Sequence, residues 1–252
     1  CCGSPFSLYA QNQEICDNAI DDDNDGLIDF QDDDCECEFI EIRSLIPNPS
    51  FEERSCCPDQ HYRLDCADSW VQAYGMTPDY IHYCGWLGPE GMSVPVPFPD
   101  GDGIIGFVNG RVPDLLPIEY DWKEYAGACL LGTMEAGKTY RVEFSLGFSG
   151  PLRSPALDFS IYGTPDCENF PFGVNVVLPG CPTNFPNWVK LDSKEIDGGP
   201  LPTWVDDYFE FTPDMDINAI AIGGPCEPFD GTITNYYFMD NLIMEETYLF
   251  QY

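Results

Sequence analysis

Acidic side chains crowd into one short segment of the chain, residues 14–38, which holds twelve Asp and Glu and no Lys or Arg. Carboxylates packed this densely repel one another unless a cation lies between them. Calcium ions are held by about six to eight oxygen ligands, many of them carboxylates. The segment therefore predicts calcium binding, with a solvated acidic spacer as the alternative.

The spacing of the acids favours calcium. Gly26 stands where a calcium loop must turn sharply, and Ile28 offers an apolar anchor. Counted from Asp21, the oxygen-donating positions 1, 3, 5, 7, 9 and 12 of an EF-hand-type loop are filled by Asp21, Asp23, Asp25, the Leu27 carbonyl, Asp29 and Asp32. The last of these replaces the usual Glu and is one methylene shorter. No apolar helical pattern flanks the loop, so a pair of EF-hand helices is not expected.

The longer run around this loop carries a resemblance. The letters EICDNAIDDDNDGLID at residues 14–29, followed by DDDC at residues 32–35, closely resemble a thrombospondin type 3-like repeat. The similarity is to the single-copy form found in secreted proteins of gliding Gram-negative bacteria. It implies a Cys16–Cys35 disulfide and a second calcium ion, held with the help of Asp17, Asn18, Asp32 and Asp34. Ala19 and Asn24 stand where Gly is common in that repeat.

The composition of the whole chain excludes some partners. Its 252 residues carry 44 Asp and Glu against 10 Lys and Arg, a formal net charge of −34. Nucleic acids and anionic membrane surfaces are disfavoured, because both bind through cationic side chains. The 44% of hydrophobic residues allow a packed core, and no stretch reaches the roughly 18 apolar residues of a membrane-spanning helix.

After Cys37 the hydrophobic pattern changes to a period of two, which is typical of half-buried strands. The alternation is clearest in residues 139–148, and residues 217–222 are apolar on both faces, which predicts a central strand. The other predicted strands are 38–46, 103–109, 127–133, 157–161, 188–192, 204–212 and 236–245. Gly and Pro, 23 of each, separate them. Many short strands with turn residues between them predict a β-sandwich or jelly roll.

Several sequence motifs indicate which kind of β-sandwich this is. They are IPNPSFE at 46–52, TPDYI at 77–81, YAG at 125–127, EAGKTYRVEF at 135–144 and FMDNL at 238–242. In this order they resemble the galactose-binding-like jelly-roll modules of the same bacterial surface proteins and, more distantly, carbohydrate-binding modules. The resemblance covers residues 45–246. It implies a structural calcium that joins the first strand to the last through Glu52 and Asp240; the alternative is that Glu52 caps a turn and Asp240 pairs with an Arg.

The chain has 13 Cys, two His and no Cys-x-x-Cys pair, which favours disulfides in an oxidising compartment over zinc binding. An odd count leaves at least one Cys unpaired, modified or joined to another chain. The family pattern implies Cys57–Cys84, which leaves Cys56–Cys66 as a further pair. Cys167 and Cys181 flank a Pro-rich loop and are expected to pair. Cys129 is expected to be a buried thiol, and Cys226 has no evident partner.

Two groups of aromatic residues are candidates for ligand recognition. Tyr80, Tyr83 and Trp86 lie in a stretch rich in turn residues, and Trp122 and Tyr125 form the second group. Sugar binding needs aromatic platforms of this kind. The alternative is that these side chains pack in the core, since large aromatic residues usually bury most of their area.

The N-terminal residues 1–13 admit three interpretations. Leu8-Tyr9-Ala10 is typical of the end of a secretory signal; Cys1 is a possible lipid anchor, as in bacterial lipoproteins; or the segment is a tail strand. All three fit an exported protein.

Residues for catalysis are scarce. The chain has only His61 and His82, and it has neither a Gly-x-Ser-x-Gly elbow nor a Gly-rich phosphate loop. Glu195-Ile196-Asp197 resembles the start of the catalytic strand of jelly-roll glycoside hydrolases. Gly199 stands where that strand needs a further Glu, so no catalytic residue is predicted.

Together these patterns predict an all-β protein, in which an antiparallel β-sandwich (jelly roll) at 39–252 follows a short irregular calcium-binding segment at 14–38. The expected function is an exported, calcium-stabilised binding or adhesion module at the cell surface, whose partner is a glycan or another surface protein. The first alternative is a structural subunit of an extracellular filament, with residues 1–12 paired to a neighbouring copy's sheet edge. A glycoside hydrolase is the second alternative.

Overall fold

The structure is a computed structural model that describes residues 44–111, 121–150, 152–173, 180–228 and 235–247. Backbone contacts divide the chain into two units, Cys1–Ile42 and Arg43–Tyr252. All the described residues belong to the second unit. The predicted calcium repeat with its Cys16–Cys35 disulfide, and the N-terminal segment 1–13, lie outside the described residues and stay predictions.

The described residues form eleven β-strands and three short 3-10 turns. In chain order the strands are β1 Trp70–Gln72, β2 Asp79–His82, β3 Gly103–Arg111, β4 Asp121–Lys123, β5 Tyr125–Met134, β6 Tyr140–Phe148, β7 Leu157–Thr164, β8 Val189–Ile196, β9 Thr203–Phe211, β10 Ile217–Gly223 and β11 Tyr236–Glu246. The turns are Leu64–Cys66, Cys167–Asn169 and Pro182–Asn184. No helix among the described residues is long and apolar enough to cross a membrane.

The strands form two antiparallel sheets packed face to face. One has five strands in the order β1-β5-β10-β7-β8, and the other has six in the order β2-β3-β11-β6-β9, with β4 paired to one end of β3. The prediction of an all-β antiparallel sandwich is confirmed. The prediction of a central strand at residues 217–222 is confirmed as well, because β10 lies in the middle of the five-stranded sheet.

Aromatic rings fill the space between the sheets. The Phe159 ring from the five-stranded sheet contacts three rings of the other sheet, with centroids 4.9 Å from Phe144, 5.5 Å from Phe209 and 5.9 Å from Phe107. All four side chains are buried. The period-two pattern of the sequence thus places one face of each strand into a single core.

Shortening one of these core rings should have a measurable cost. We expect Phe159→Leu to lower the free energy of unfolding by about 1–2 kcal/mol, because the smaller side chain leaves a partly filled cavity among three aromatic neighbours. Leu152→Ala is the matched control, since Leu152 is 82% exposed and its truncation should change stability by less than about 0.5 kcal/mol. Urea unfolding followed by fluorescence measures both; equal effects would contradict the packing described here.

Not every predicted strand is found. Residues 44–46, the described end of the predicted strand 38–46, belong to no strand, although the Leu45 N–H donates to the Met244 carbonyl at 2.7 Å and the Leu45 carbonyl accepts from the Leu131 N–H at 2.9 Å. Leu45 therefore connects the two sheets without extending either.

Four disulfides hold the described residues. Cys56 pairs with Cys66 and Cys57 with Cys84, as the sequence analysis expects. The expected pairing of Cys167 with Cys181 is wrong: Cys129 pairs with Cys167, and Cys181 pairs with Cys226.

The two corrected disulfides have a topological cause. Strand β10 lies between β5 and β7, and its Ala219 is opposite both Cys129 in β5 and Thr164 at the end of β7. Cys129 lies on the solvent face of its strand, so it is not a buried thiol, and its bond to Cys167 crosses over β10. The order of strands in the sheet cannot be deduced from cysteine spacing.

Candidate functional site

A cleft of about 390 Å³ opens on the outer face of the six-stranded sheet. Its floor is formed by the start of β2, by β3 and by the start of β11. Its sides come from β4, from the loop around His61 and from the irregular segment 83–100, which packs Trp86, Met92 and Val94 against the sheet. The cleft therefore combines rigid strands below with loop residues above.

Two buried carboxyl groups lie at the floor of this cleft. Asp79, at the start of β2, is 5% exposed and accepts hydrogen bonds from the Tyr62 N–H at 2.7 Å and from the Tyr236 hydroxyl. Glu124, between β4 and β5, is 1% exposed and accepts from the Val108 N–H and from Trp122 Nε1, both at 2.8 Å. Every donor to the pair is neutral.

Burial of these groups changes their protonation. Desolvation raises the pKa of Glu124 well above its ordinary value, and the neighbouring charge of Asp79 raises it further. Desolvation also raises the pKa of Asp79, against the opposing effect of the Tyr236 and Tyr62 donors. Two buried carboxylates without a cation repel each other, so the pair tends to retain a proton.

Gly106 allows one of these contacts to form. Asp79 and Gly106 are opposite each other in β2 and β3, and the Tyr236 side chain lies over Gly106 to reach the Asp79 carboxyl. A Cβ on Gly106 would come within 2.1 Å of the Tyr236 hydroxyl oxygen. Any larger residue here would displace Tyr236 and leave Asp79 without its hydroxyl donor.

Aromatic side chains form the sides of the cleft. The Trp122 ring is held in place by its Nε1 hydrogen bond to Glu124, and Trp86 is held by a backbone hydrogen bond from its N–H to the Pro58 carbonyl at 2.7 Å. Tyr62 and His61 contact each other edge to face with ring centroids 4.2 Å apart, and His61 lies 6.4 Å from the Trp86 ring. All four side chains line the cleft.

The structure thus brings together Trp86 and Trp122, one from each predicted aromatic group. It does not bring Tyr80 there: Tyr80 is fully buried in the core and its hydroxyl donates to the Phe51 carbonyl at 2.7 Å, so the expectation that it contacts a ligand is wrong. Tyr83 is exposed but stacks on Phe98 at 4.5 Å, away from the lining of the cleft.

Sequence reasoning missed the acidic floor of the site. Asp79 and Glu124 gave no signal of their own, because their neighbours Tyr80 and Tyr125 drew attention as aromatic candidates. Neither carboxyl lies in a predicted strand: Asp79 falls in a stretch rich in turn residues, and Glu124 precedes the predicted strand 127–133.

A second cluster of carboxyl groups surrounds the turn 100–103. Glu52 Oε1 accepts from the Asp102 and Gly103 N–H groups at 2.8 and 2.6 Å, and Asp240 in β11 accepts from the Asp100 N–H at 3.0 Å. The turn is tight because Gly101 has φ +63° and a Cβ there would lie 2.2 Å from the Glu52 carboxyl carbon. One turn thus contacts both predicted calcium ligands.

These contacts decide between the alternatives for Glu52 and Asp240 only in part. Glu52 does cap a turn, as one alternative expects. Asp240 has no Arg partner among the described residues; its hydrogen bonds come from the Asp100 and Asn241 N–H groups. Burial raises the pKa of Asp240 to about 8, with the charges of Asp100 and Glu52 adding to the effect. Glu52 and Asp240 offer the carboxylate oxygens that calcium prefers, and their binding of calcium stays a prediction.

A third depression, more open and about 470 Å³ in volume, lies beside residues 95–99. In its lining, Trp204 Nε1 donates a hydrogen bond to the Pro95 carbonyl at 3.0 Å, and Asp206 accepts a hydrogen bond from the Ser145 hydroxyl at 2.6 Å. Prolines form most of one side. Unlike the first cleft, it has no buried carboxyl group among the described residues that line it.

Several solved structures are similar to the chain at low sequence identity. No protein-family profile and no curated protein matches the chain. A solved α-L-arabinofuranosidase with bound arabinose is similar at a TM-score of 0.46 and 11% identity over 81% of this chain, which spans only 26% of that enzyme's length.

Two smaller solved domains are similar over nearly their whole length. The K1 adhesin domain of Lys-gingipain from Porphyromonas gingivalis W83 has a TM-score of 0.40 and 14% identity, over 78% of this chain and 95% of that one. The module TmCBM61, solved with β-1,4-galactotriose, has a TM-score of 0.35 and 12% identity, over 81% of this chain and 99% of that one.

Proposed function

We propose that the sandwich is a carbohydrate-binding module and that its ligand lies in the cleft between Trp86 and Trp122. One observation carries the proposal: two tryptophans from distant parts of the chain line one cleft whose floor holds the buried carboxyl groups of Asp79 and Glu124.

The chemistry of this arrangement suits a sugar. A pyranose ring has an apolar C–H face that packs against a flat aromatic ring, and its edge carries hydroxyl groups that donate to carboxyl oxygens. The volume of about 390 Å³ lies in the range of roughly 300–1,000 Å³ found for small-ligand sites. Because the Trp122 ring is fixed by its hydrogen bond to Glu124 and the Trp86 side chain packs against the sheet, little side-chain order has to be gained on binding.

The setting of the module is part of the proposal. Four disulfides among the described residues favour an oxidising, extracytoplasmic compartment. Calcium bound at Glu52 and Asp240, and in the acidic repeat 14–38, would stabilise the protein. Assembly through residues 1–12 stays a prediction, since those residues lie outside the described part of the chain.

Removal of either tryptophan should weaken binding. We expect Trp86→Ala and Trp122→Ala each to reduce affinity for the bound glycan by about 10- to 100-fold, because each loses a stacking face. A glycan array identifies the ligand and titration calorimetry measures the affinity. Tyr83→Ala is the matched control: Tyr83 is exposed and aromatic but does not line the cleft, and its loss should leave affinity within about two-fold.

The binding of the variants shows whether the ligand lies in this cleft. Thermal melting shows that the variants are folded, which matters for Trp122→Ala because it removes a donor to Glu124. If folded Trp86→Ala binds as the unmodified protein does, or if Tyr83→Ala loses binding equally, the ligand does not lie in this cleft.

Glycoside hydrolysis is a second candidate, favoured by the presence of two carboxyl groups in one cleft. Each carboxyl oxygen already accepts a hydrogen bond from a fixed neutral donor, and Glu124 is 1% exposed. A group so enclosed is better placed to hold a ligand than to transfer a proton to it. Release of reducing ends from a bound oligosaccharide, lost in Glu124→Gln, would favour the hydrolase instead.

A further inference from the structure

The charge lining the cleft is unbalanced. Among the described residues that line it, Asp79, Glu124 and Glu90 carry carboxyl groups, while no Lys or Arg lines it and His61 is the one residue with a basic side chain. The hydrogen bonds that reach the two buried carboxyl groups come from backbone N–H groups, an indole and a phenol. These donors stabilise negative charge without neutralising it.

A ligand cation would supply what the cleft lacks. Buried like charges are unfavourable unless an opposite charge lies close to them, and a cation between two carboxylates interacts favourably with both. A cation beside the pair would favour loss of the proton that the two groups otherwise retain, whereas a neutral ligand would leave that proton in place.

The aromatic sides favour the same kind of ligand. The faces of Trp rings attract cations, most strongly where water is excluded, and Tyr does so more weakly. Trp86, Trp122 and Tyr62 surround the opening above the acidic floor. Aromatic rings at the sides of the cleft and carboxyl groups at its floor together suit an ammonium group.

We infer that the glycan bound by this cleft carries a free amino group, whose ammonium lies between the rings of Trp86 and Trp122 and above the carboxyl groups of Asp79 and Glu124. This inference rests on the proposed function and names its ligand class. The sugar ring supplies the face that stacks on tryptophan, and the ammonium supplies the charge. The net charge of −34 adds long-range attraction for a polycationic glycan at low salt.

The test uses ligands that differ in one substituent. Hexasaccharides of β-1,4-linked glucose, N-acetylglucosamine and glucosamine share a backbone and carry at C2 a hydroxyl, an acetamide or an ammonium. A galactosamine hexamer and its N-acetylated form give a second pair, and a lysine-rich peptide tests for an ammonium without a sugar. Calorimetry at pH 6 and low salt should show an amino hexamer binding at least 10-fold more tightly than its neutral counterpart.

Two isosteric variants identify the source of the preference. Glu124→Gln and Asp79→Asn each replace one ionisable carboxyl group by an amide of nearly the same shape, and each should reduce the ratio of the affinities for the amino and neutral hexamers to about three-fold or less. Glu210→Gln is the control, because Glu210 is exposed on β9 and the substitution changes the net charge equally. Should a variant fail to fold, the comparison of ligands on the unmodified protein still decides.

Failure of this inference can be distinguished from failure of the proposed function. Equal affinity for amino and neutral hexamers, still lost in Trp86→Ala, would overturn this inference and leave the proposed function standing. No binding of any hexamer and no signal on an array of neutral and amino glycans would overturn both. A lysine-rich peptide that binds more tightly than every amino hexamer would also overturn it.

Discussion

Removal of calcium is expected to lower the melting temperature of the protein by about 10 °C. A ligand present at a thousand times its dissociation constant stabilises a fold by about 4 kcal/mol, and for a domain of this size each 1 kcal/mol shifts the melting temperature by roughly 2–4 °C. The expected site is the turn 100–103, whose N–H groups donate to Glu52 and to the buried Asp240. Without an ion, the burial of Asp240 beside other carboxylates opposes folding.

Variants separate this site from the acidic repeat. Asp240→Asn should abolish most of the calcium-dependent rise in melting temperature, because it removes the one ligand that the last strand contributes. Asp23→Asn should remove binding events measured by calorimetry and leave the melting of the sandwich nearly unchanged. The control is Asp197→Asn, since the exposed Asp197 bonds only to the Gly199 N–H among the described contacts. A melting temperature that does not respond to chelation would contradict the proposed site.

The second large effect concerns the Cys57–Cys84 disulfide. Replacing both cysteines by Ser is expected to lower the melting temperature by about 5–15 °C, because loss of a native disulfide typically costs 2–5 kcal/mol. It should also reduce glycan affinity at least 10-fold. Cys84 lies two residues before Trp86, and the bond ties that segment to Cys57, next to the Pro58 carbonyl that binds the Trp86 N–H.

A second disulfide provides the comparison. Cys129→Ser with Cys167→Ser removes a bond on the five-stranded sheet, on elements that do not line the cleft. Its loss should destabilise the protein to a similar degree while affinity, measured well below the melting temperature, stays within about two-fold. If both double variants lost affinity equally, the Cys57–Cys84 bond would have no special part in positioning Trp86.

How far the sequence predicts this fold differs between strands. β6 alternates apolar and polar residues because its inner face meets the core, and its position was predicted. The sequence predicts a turn-rich stretch where β2 lies, because all four residues of that strand are buried and show no alternation. Its inner face meets the core and its outer face is covered by segment 83–100. A pattern of period two cannot reveal a strand that is buried on both faces.

The site was predictable only in fragments. Trp86 and Trp122 were identified as aromatic candidates, but their meeting in one cleft depends on β4 pairing with the end of β3. Asp79 and Glu124 become a pair only because neighbouring strands bring β2 and the β4–β5 junction together. Cysteine pairing failed for the same reason, where β10 enters between β5 and β7. The order of strands in the sheets determines the meeting of the two tryptophans, the pairing of the two carboxyl groups and the disulfide pairing. Residue spacing along the chain does not reveal that order.

The segment 83–100 has a consequence for how this protein could diversify. It contributes Trp86 to the cleft yet belongs to neither sheet, and it is fastened to the body of the protein by a disulfide at one end and by buried Phe98 at the other. Substitutions between these two anchors are therefore expected to change the lining of the cleft without disturbing strand pairing. A library randomised at 87–94 would vary that lining, which includes Pro89, Glu90 and Met92, while the sandwich stays intact.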